Sequence, residues 1–399
     1  MKVPTVGIPA YPEEIERWWW RKATEKWPEE GEPKVLRFLQ EEIVSQSDRF
    51  NKERNFSPKS YGTRDTSVLA YGNFYFPRTW AQLAYVLSEA HDFRSWRPPG
   101  KGPLRILDLG CGSGATGLSA LTFLRERNVK NPIELCAIDY SGKSLGYLRN
   151  LHRSQPGLWP NVILKTERAD LRQDLPSGHG QEFDLILIGS ALNEIIAKAD
   201  CKATAGKIVD LSSRLKPSGF LIVLEPALQE VSNCLHQAAA LITREGNLHL
   251  HAPYFNGLPC PFAETKSRYH SHEVRPGKAP ETTHKLNAPL GPNLHDLKFS
   301  FVLLSGKKPR SFEKTPGTFR LVSPVAKRKG LYFFVGIAAN GEEYIYEIQT
   351  RDLMSGDKEL IEGWQRGDIL KLQKYEILGD GHHIRISDAE AIEPLFVPR

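Results

Sequence analysis

A glycine-rich turn is the stretch of this sequence whose residues could most directly do chemistry. It reads Asp-Leu-Gly-Cys-Gly-Ser-Gly from Asp108 to Gly114, after a short apolar run at 105–109 and before a helical run at 115–127. Glycines allow a backbone to turn tightly and to approach a ligand closely, and the first turn of a helix offers free N–H groups. This order of residues predicts a ligand-binding turn between a strand and a helix.

Two carboxylates stand at the ends of the next predicted strands. The first is Asp139, which follows the apolar run 133–138 and lies 25 residues after Gly114. A carboxylate in that position can accept hydrogen bonds from both hydroxyls of a ribose. The second is Asp170, after a third predicted strand at 162–168. The pattern therefore predicts that the ligand contains a nucleoside.

The elements that must position these residues alternate between strands and helices. Apolar runs at 183–188 and 220–225 complete five predicted strands, and a run at 298–304 predicts an antiparallel edge strand. Such alternation is typical of α/β proteins with a mostly parallel sheet covered on both faces. The glycine spacing differs from the G-x-G-x-x-G of dinucleotide-binding folds. A Rossmann sheet that binds another nucleotide cofactor is an open alternative.

The Asp-x-Gly-x-Gly-x-Gly form, followed by these ordered strands, resembles motif I and the core of the class I S-adenosylmethionine (SAM) methyltransferases. The resemblance implies a Rossmann-like sheet and SAM as the cofactor. It places the ribose on Asp139 and the adenine beside Asp170 and Leu171. The residues that it implies at the amino-acid end of the cofactor are Asp108, Gly110, Gly112 and Gly114.

The predicted acceptor side of the site follows the fourth strand. Ser190 belongs to the edge of the cofactor pocket, and Asn193 and Glu194 are the candidate catalytic residues. Glu194 could act as a general base, and it could equally be an acidic residue that stabilises the start of a helix. The segment is not of the Asn-Pro-Pro-Tyr type that grips an exocyclic amine, and Cys111 lies in the cofactor loop. The prediction leans towards an active methyltransferase, but cofactor binding is indicated more directly than catalysis.

Residues 1–103 are predicted to form a helical N-terminal region. Three adjacent tryptophans at 18–20 lie within a predicted helix at 13–26, and they cannot all share one helix face. Further helices are predicted at 33–54 and 77–92, whereas 65–74 is predicted to be rich in turns. The helix at 77–92 is expected to pack against the core and to cover the cofactor cleft.

Residues 104–307 are predicted to form the SAM-binding core, including a long loop rich in His and Pro at 246–295. After a polar linker, residues 317–399 carry five predicted strands, with a short helix between the third and the fourth. This order suggests a small OB-like β-barrel, with an SH3-like barrel as the alternative. OB folds often bind single-stranded nucleic acid through a basic face that bears aromatic side chains. The residues predicted to bind RNA are Lys327, Arg328 and Lys329.

Four further segments resemble one branch of the superfamily, the methyltransferase-like proteins of the mitochondrial small ribosomal subunit and their bacterial relatives. The segments are 75–80, 189–195, 252–261 and 320–368. The resemblance implies association with small-subunit rRNA, as an rRNA methyltransferase or as an assembly factor. Two other hypotheses stay open. One is a SAM-dependent methyltransferase of a small molecule or protein, and the other is a non-catalytic, ribosome-associated structural protein.

Members of that branch hold several cysteines in the loop that contains 252–261, where they suit an iron–sulfur cluster or zinc. In this chain Tyr254 stands at the first of these positions, so the loop cannot supply four cysteines to a cluster. We therefore expect neither a metal ion nor an iron–sulfur cluster, and the alternative to a metal site is a solvated loop. The weak candidate ligands for zinc are Cys260, His251, His270 and His272.

Composition sets the broad class of the protein. The chain has 399 residues, a net charge of +6 and five scattered cysteines without a Cys-x-x-Cys pair. The length predicts two or three domains, and the mildly basic charge is compatible with nucleic-acid binding. The sequence shows no apolar secretory segment and no apolar run long enough to cross a membrane. A reducing compartment is expected, either the bacterial cytoplasm or the mitochondrial matrix, and the oligomeric state is not indicated.

Overall fold

The structure is a computed structural model of the chain. Its central element is an eight-stranded sheet in which parallel strands form one side and antiparallel strands complete the other. A second sheet follows in the C-terminal part of the chain. The residues that the structure describes are 6–48, 62–173, 182–196, 200–263, 269–288, 290, 294–354, 356–379, 381–388 and 391–399.

The central sheet confirms the predicted α/β class and the Rossmann-like arrangement. Its strands are β1 (Leu104–Leu109), β2 (Ile133–Asp139), β3 (Val162–Arg168), β4 (Phe183–Gly189), β5 (Leu215–Pro226), β6 (His249–Ala252), β7 (Glu273–Pro276) and β8 (Asp296–Ser305). They lie in the order β3-β2-β1-β4-β5-β8-β6, with β7 paired to β8. Strands β1 to β5 are parallel to one another, and β8 is antiparallel to β5.

Strand β1 lies in the middle of the sheet because its side chains are apolar on both faces. Ile106 belongs to the larger hydrophobic core and Leu107 to a second core on the other side. Alternate residues of a strand point to opposite faces, so one short run of apolar residues serves both cores. The carboxyl ends of β1, β2 and β4 therefore meet at one edge of the sheet, which is where parallel α/β sheets bind ligands.

Helices cover both faces of this sheet. They are α1 (Glu13–Lys26), α2 (Glu32–Asp48), α3 (Asp65–Phe74), α4 (Phe76–Ser88), α5 (Ala115–Glu126), α6 (Gly142–Ser154), α7 (Leu192–Ile195), α8 (Cys201–Ser212), α9 (Gln229–Arg244), α10 (Glu281–Asn287) and, in the C-terminal part, α11 (Asp357–Glu362). A π-helical turn, Glu89–Phe93, follows α4. The last residues of the predicted second helix, 49–54, lie outside the described residues. No helix in the described part of the chain could span a membrane.

The segment 65–74, predicted to be rich in turns, is the helix α3, so that prediction was wrong. Most of its side chains are buried. Gly72 faces the ring of Trp19, where a Cβ atom would lie 2.2 Å from the Cε3 atom. The side-chain amide of Asn73 donates a hydrogen bond to the Trp19 carbonyl oxygen at 3.2 Å. Packing against α1 thus overrides the preference of Ser, Gly and Asn for turns.

The three adjacent tryptophans connect the N-terminal helices with the core. Trp18 and Trp19 are buried and meet edge to face, with ring centroids 4.9 Å apart. Trp19 also stacks on Tyr147 of α6, at 5.7 Å between centroids. Trp20 is only partly buried at the side of this cluster. Two of the three rings therefore share the inward face, as far as helix geometry allows.

The segment 246–295 was predicted to be a long loop, and this was wrong for part of its length. The strands β6 and β7 pair with opposite ends of β8, and the helix α10 follows β7. One edge of β8 is not paired with β5, and its backbone N–H and C=O groups need hydrogen-bond partners. The short strands β6 and β7 supply these partners at the two ends of β8. Long-range pairing of this kind leaves little trace in local periodicity.

The C-terminal part forms a separate eight-stranded sheet with its own core. Its strands are β9 (Thr318–Leu321), β10 (Ala326–Arg328), β11 (Leu331–Ala338), β12 (Glu343–Gln349), β13 (Ile369–Leu372), β14 (Glu376–Leu378), β15 (His383–Ile386) and β16 (Ile392–Phe396). Helix α11 stands between β12 and β13, as predicted. The order β14-β15-β12-β11-β9-β13-β16 leaves β14 and β16 unpaired with each other among the described strands, so a closed OB-like barrel is not confirmed.

A buried charge network joins the two sheets. Arg320 of β9 is 1% exposed, and its guanidinium donates hydrogen bonds to Glu89 at 2.9 Å and to Glu273 at 2.8 Å. Glu89 begins the turn after α4, and Glu273 begins β7. Burial alone would raise the pKa of Glu273, but the guanidinium groups of Arg320 and Arg275 outweigh burial and lower this pKa to about 2. Glu273 is therefore charged, and arginine guanidinium groups hold both carboxylates.

The same network continues to the end of the chain. Arg275 donates to Asp368 at 3.2 Å, and Arg399 donates to the other oxygen of Asp368 at 2.7 Å. Arg94 pairs with Glu89 at 2.8 Å. Because buried charges are tolerated only when they are paired and hydrogen-bonded, these partners must assemble together when the two sheets dock.

Removal of the central arginine tests this interpretation. We expect Arg320→Ala to lower the free energy of unfolding by about 3–5 kcal/mol, because it leaves two buried carboxylates without the cation that joins them. Chemical denaturation followed by circular dichroism measures the change. Arg351→Ala is the control, since Arg351 is exposed and its loss should cost at most about 0.5 kcal/mol. Equal stability of the two variants would contradict the role given to Arg320.

Candidate functional site

The glycine-rich turn has the backbone that its residue types require. Gly110, Gly112 and Gly114 all have positive φ angles, of 68°, 53° and 92°. A Cβ atom on Gly110 would lie 2.6 Å from the Cβ of Ala191, and one on Gly114 would lie 2.4 Å from Leu148 Cδ1. A Cβ atom on Gly112 would meet nothing within 4 Å. The outer glycines therefore permit close packing, whereas Gly112 borders open space in which a ligand can approach the backbone.

Asp108 supports this turn from below. It is fully buried, and its carboxylate accepts hydrogen bonds from Thr116 Oγ1 at 2.8 Å and from the Gly117 N–H at 2.7 Å. Burial raises the pKa of Asp108 to about 7, against the lowering effect of these donors. The structure thus places Asp108 behind the start of α5, away from the cavity lining, where it holds the glycine turn onto the helix.

Asp139 lies at the carboxyl end of β2 and faces the turn. Its Oδ2 atom accepts a hydrogen bond from the Gly112 N–H at 2.8 Å, and its Oδ1 atom accepts one from the Ser141 N–H at 2.8 Å. Burial raises the pKa of Asp139 to about 6. Each carboxylate oxygen has a second lone pair, so the side chain is fixed in place and can still accept hydrogen bonds from two hydroxyls.

These elements surround a cavity of about 430 Å³ at the carboxyl ends of the strands, which we call the cofactor cavity. This volume lies within the usual range for small-molecule sites. The predicted residues that line it are Gly110, Gly112, Asp139, Asp170, Leu171, Ser190, Asn193 and Glu194. Asp108 and Gly114 were also predicted as cofactor residues, and the structure places them in the support of the turn.

Three further predicted residues, Asp170, Leu171 and Ser190, lie at the edge of the cavity in different surroundings. Asp170 accepts hydrogen bonds from the guanidinium of Arg172, and this pairing lowers the pKa of Asp170. The neighbouring Leu171 is buried and supplies apolar surface. Ser190 follows β4 with a positive φ of 55°, although it is not glycine. Such backbone strain is often found in functional sites.

The N-terminal helices close the cavity from above, as the sequence predicted for 77–92. We call the side chains of α3, α4 and their junction that line the cavity the roof, namely Tyr71, Tyr75, Arg78, Thr79 and Gln82. The Tyr71 hydroxyl lies 3.5 Å from Thr79 Oγ1, and burial raises the pKa of Tyr71 to about 12. Arg78 donates to the Asp296 carbonyl oxygen at 3.2 Å. Sequence reasoning did not bring these five side chains together, because the roof is assembled from residues distant in the chain from the glycine turn.

A group of carboxyls lies on the acceptor side of the cavity. Burial, with the nearby Asp139 and Glu225, raises the pKa of Glu194 to about 8. Burial also raises the pKa of Glu225 to about 7. Glu225 accepts hydrogen bonds from the side-chain amide of Asn193 and from the Leu192 N–H, the latter at 3.1 Å. Glu225 thus positions Asn193. The sequence analysis did not identify Glu225 as a site residue, and the signal that could have done so is its position at the end of the apolar run 220–225.

The candidate zinc ligands do not form one site. His270 and His272 stack on each other, with ring centroids 4.3 Å apart, whereas His251 Nε2 donates a hydrogen bond to the Lys307 carbonyl oxygen. Cys260 is buried beside the Tyr254 hydroxyl, 3.9 Å from its Sγ atom. Within the described ranges, no group of three or more His, Cys, Asp or Glu side chains is placed to hold a metal ion.

The candidate RNA-binding residues lie on the hairpin of β10 and β11. The Lys327 ammonium stands 5.0 Å from the centre of the Tyr332 ring and pairs with Glu362 at 3.3 Å. The Arg328 guanidinium stands 4.5 Å from the centre of the Phe333 ring. Lys329 is exposed, and so are both cationic neighbours. The structure therefore presents the three charges together on the surface of the C-terminal sheet.

The fold and the cavity together define an α/β protein that binds a nucleoside cofactor at the carboxyl edge of its sheet. Residues 101–271 match the family model described as a methyltransferase domain. This part of the chain is therefore similar to a methyltransferase domain, and SAM is the cofactor. The residues present fit that group, because an open glycine backbone, a fixed carboxylate with free acceptor capacity and an apolar wall surround one cavity.

No curated protein matches the chain. Among solved structures, the citrinin polyketide synthase CMeT domain is 14% identical over 68% of this chain, with a TM-score of 0.32, and the match covers 65% of that domain. The fibrillarin/Nop5p complex is 18% identical over 57% of this chain and 82% of that chain, with a TM-score of 0.32. A SAM-dependent methyltransferase from Clostridium acetobutylicum is 15% identical over 75% of this chain and 83% of that chain, with a TM-score of 0.27. Scores this low say nothing about the function of this protein.

The ribose contact can be tested by removing its carboxylate. We expect Asp139→Ala to weaken SAM binding by about tenfold to a hundredfold, because hydrogen bonds to a charged group contribute about 1.5–3 kcal/mol. Isothermal titration calorimetry measures the affinity, and Asp210→Ala on the exposed side of α8 is the matched control. An unchanged affinity in Asp139→Ala, with the fold intact by circular dichroism, would place the ribose elsewhere.

The raised carboxyl pKa values predict that SAM binding depends on pH. The positively charged sulfur of SAM favours the ionised forms of Asp139 and Glu194, whose pKa values lie at about 6 and about 8. Binding therefore releases protons, and the affinity should rise about threefold to tenfold as the pH rises from about 6 to 8.5. S-adenosylhomocysteine is the control, since it has a neutral sulfur and the same amino-acid end. Parallel pH profiles for the two ligands, measured by calorimetry, would refute the assignment.

Proposed function

We propose that the protein transfers the methyl group of SAM to RNA of the small ribosomal subunit. The observation that carries the proposal is the cofactor cavity, in which the open backbone of Gly112, the carboxylate of Asp139 and the acceptor-side residue Glu194 line one space. The alternative within this hypothesis is an assembly factor of the small ribosomal subunit that binds SAM and transfers no methyl group. The expected place of action is the bacterial cytoplasm or the mitochondrial matrix.

The cofactor supplies an electrophilic methyl group on a positively charged sulfur, and the protein has to hold it and orient the acceptor. In this proposal Asp139 holds the nucleoside end of the cofactor, and the open backbone of Gly112 lies at its amino-acid end. The roof excludes water from above the cavity, while Asn193 is held by Glu225 at the acceptor side. Transfer breaks the sulfur–carbon bond, forms the bond from carbon to the acceptor atom, and leaves a proton from an N–H or O–H acceptor to be removed.

In this proposal Glu194, which lines the cavity, takes this proton. Its pKa of about 8 means that the carboxyl is largely neutral at pH 7 and becomes a base as the pH rises. A base whose pKa lies near the working pH combines a usable ionised fraction with sufficient basicity. Asn193 contributes as an oriented hydrogen-bonding group beside it, because its side-chain amide already donates to Glu225.

The C-terminal sheet supports RNA as the acceptor. Lys327, Arg328 and Lys329 form an exposed basic segment, and two of these cations stand over aromatic rings. Phosphate contacts supply most of the non-specific affinity for nucleic acid, and aromatic side chains can stack on bases. We infer that this domain binds RNA in the manner of an OB fold. Its role is to hold the RNA while one nucleotide enters the cofactor cavity.

Transfer of labelled methyl from SAM to immature small ribosomal subunits tests the proposal. We expect label in the rRNA, a loss of at least about tenfold in Glu194→Gln, and a rate that rises with pH towards about 8 in the wild type. Label in the protein fraction, or on an added small molecule, would favour another acceptor class. Absence of label with retained sedimentation on the particles would favour an assembly factor.

The triple charge reversal of Lys327, Arg328 and Lys329 separates RNA binding from cofactor binding in the same assay. It should weaken RNA binding and make the affinity less dependent on salt, while the calorimetric affinity for SAM stays unchanged. Normal RNA binding by this variant would move the RNA site away from the β10–β11 hairpin.

A further inference from the structure

The basic side chains of the cofactor cavity lie at one end of it. In the described part of the chain, the lining contains two of them, Arg78 of the roof and Lys298 of β8. Arg78 Nη2 donates to the Asp296 carbonyl oxygen at 3.2 Å, and Gln82 Nε2 donates to the Lys298 carbonyl oxygen at 3.4 Å. The positive charge of the lining is therefore located where α4 meets the start of β8.

The residues that face the cofactor lie at the other end. Asp139 ends β2, and β8 is four strands further along the order β2-β1-β4-β5-β8. Neighbouring strands lie about 4.8 Å apart, so roughly 19 Å separates β2 from β8. Gly112 and Ser190 follow β1 and β4, between these two positions. With its ribose on Asp139, the cofactor extends over β1 and β4, and the β8 end is left for the acceptor.

Arg78 is held in place and keeps free donors. Its side chain is half-buried, and burial lowers its pKa, an effect that the charge of Asp296 opposes. A guanidinium stays charged in proteins and has five N–H donors. Among the described residues, no carboxylate forms an ion pair with the Arg78 guanidinium or the Lys298 ammonium. Both cations are therefore available to an anionic group of a ligand, and the planar fork of arginine fits a phosphate.

Aromatic and apolar side chains line the same end of the cavity. Tyr75 stands three residues before Arg78, and its ring stacks on that of Tyr71 with centroids 6.0 Å apart. At the end of β5, Pro226 and Leu228 add apolar surface. Rings of other molecules pack well against such surfaces. This end of the cavity therefore suits a planar ring that carries an anionic group nearby.

We propose that Arg78 and Lys298 form a phosphate subsite for the methyl-accepting substrate. The inference rests on the proposed function and narrows it, because the acceptor is then a nucleotide unit and not a neutral small molecule. The phosphate belongs to an RNA strand or to a free nucleotide. In either case the two cations hold the acceptor beside the methyl donor and select substrates that carry phosphate.

Binding of small probes to the full chain, saturated with S-adenosylhomocysteine, tests the subsite without requiring methyl transfer. The probes are the four ribonucleosides and their 3′- and 5′-monophosphates, and titrations followed by saturation-transfer NMR measure each affinity. Arg78→Gln/Lys298→Gln is the test variant. Arg153→Gln/Lys202→Gln, which removes two exposed charges elsewhere on the core, is the matched control.

We expect the wild type and the control to bind at least one nucleotide about tenfold more tightly than its nucleoside, because hydrogen bonds between arginine and phosphate are charge-assisted. The test variant should lose this advantage, and Arg78→Lys, which keeps the charge, should retain part of it. If the wild type shows no such advantage, or if the test variant keeps it in full, the proposal is wrong.

Calorimetry with SAM separates the acceptor from the cofactor. The affinity of the test variant for SAM should stay within about threefold of the wild-type value, which is less than 1 kcal/mol. A loss of about tenfold or more would assign the two cations to the carboxylate of SAM and overturn the proposal. Circular dichroism verifies that the test variant folds. If it does not, Lys298→Gln alone, at an exposed position, decides the question through the same titrations.

Kinetics of methyl transfer identify the source of the phosphate. With immature small ribosomal subunits, we expect the test variant to raise KM about tenfold and to change kcat less, because the subsite binds a part of the substrate that does not react. The same dependence with free nucleotides as acceptors would assign the phosphate to a small substrate. Nucleotide binding through the subsite, with no methyl transfer to RNA, would contradict the proposed function and leave the subsite in place.

Discussion

The buried guanidinium of Arg320 is the interaction on which the arrangement of the whole molecule depends. It belongs to the C-terminal sheet, and its two carboxylate partners belong to the turn after the roof helix α4 and to β7 at the edge of the central sheet. A buried ion pair gains little net stability over apolar packing, but breaking it is costly. The network therefore acts mainly as a constraint on geometry. It permits one way of docking the C-terminal sheet, and the same contact fixes the end of the helix that covers the cofactor.

The two edges of the central sheet have opposite electrostatic character. At the carboxyl edge, Asp139 and Glu194 line the cofactor cavity and Glu225 lies behind them, and burial raises the pKa values of all three carboxyls. This edge suits a cationic sulfur, because a nearby positive charge favours the ionised form of a carboxyl group. At the amino edge, by contrast, the cationic side chains of Arg97, Lys307, Lys308 and Arg310 border a second hollow.

The lining of the cavity and its support are divided between residues that the glycine motif brings close together. Asp108 is only a few positions from Gly112 in the chain, but its carboxylate accepts hydrogen bonds from Thr116 Oγ1 and the Gly117 N–H. It shapes the turn, while the Gly112 backbone and Asp139 face the ligand. Glu225 has the corresponding supporting role on the other side of the cavity, because its carboxylate accepts a hydrogen bond from the side-chain amide of Asn193. Both supporting carboxyls have raised pKa values as a result of burial.

The sequence by itself determined the parallel sheet, the glycine turn and the position of Asp139, because each depends on local properties. Apolar runs form strands, glycine permits positive φ angles, and a residue that ends a parallel strand lies at the ligand edge. The helix α3, the short strands β6 and β7 and the roof were decided only by tertiary structure. Asn193 and Glu225 are 32 residues apart, and Arg320 and Glu89 are 231 apart. Such pairs form because packing leaves buried polar groups no other partner. A local sequence pattern cannot predict them, because the two partners are far apart in the chain.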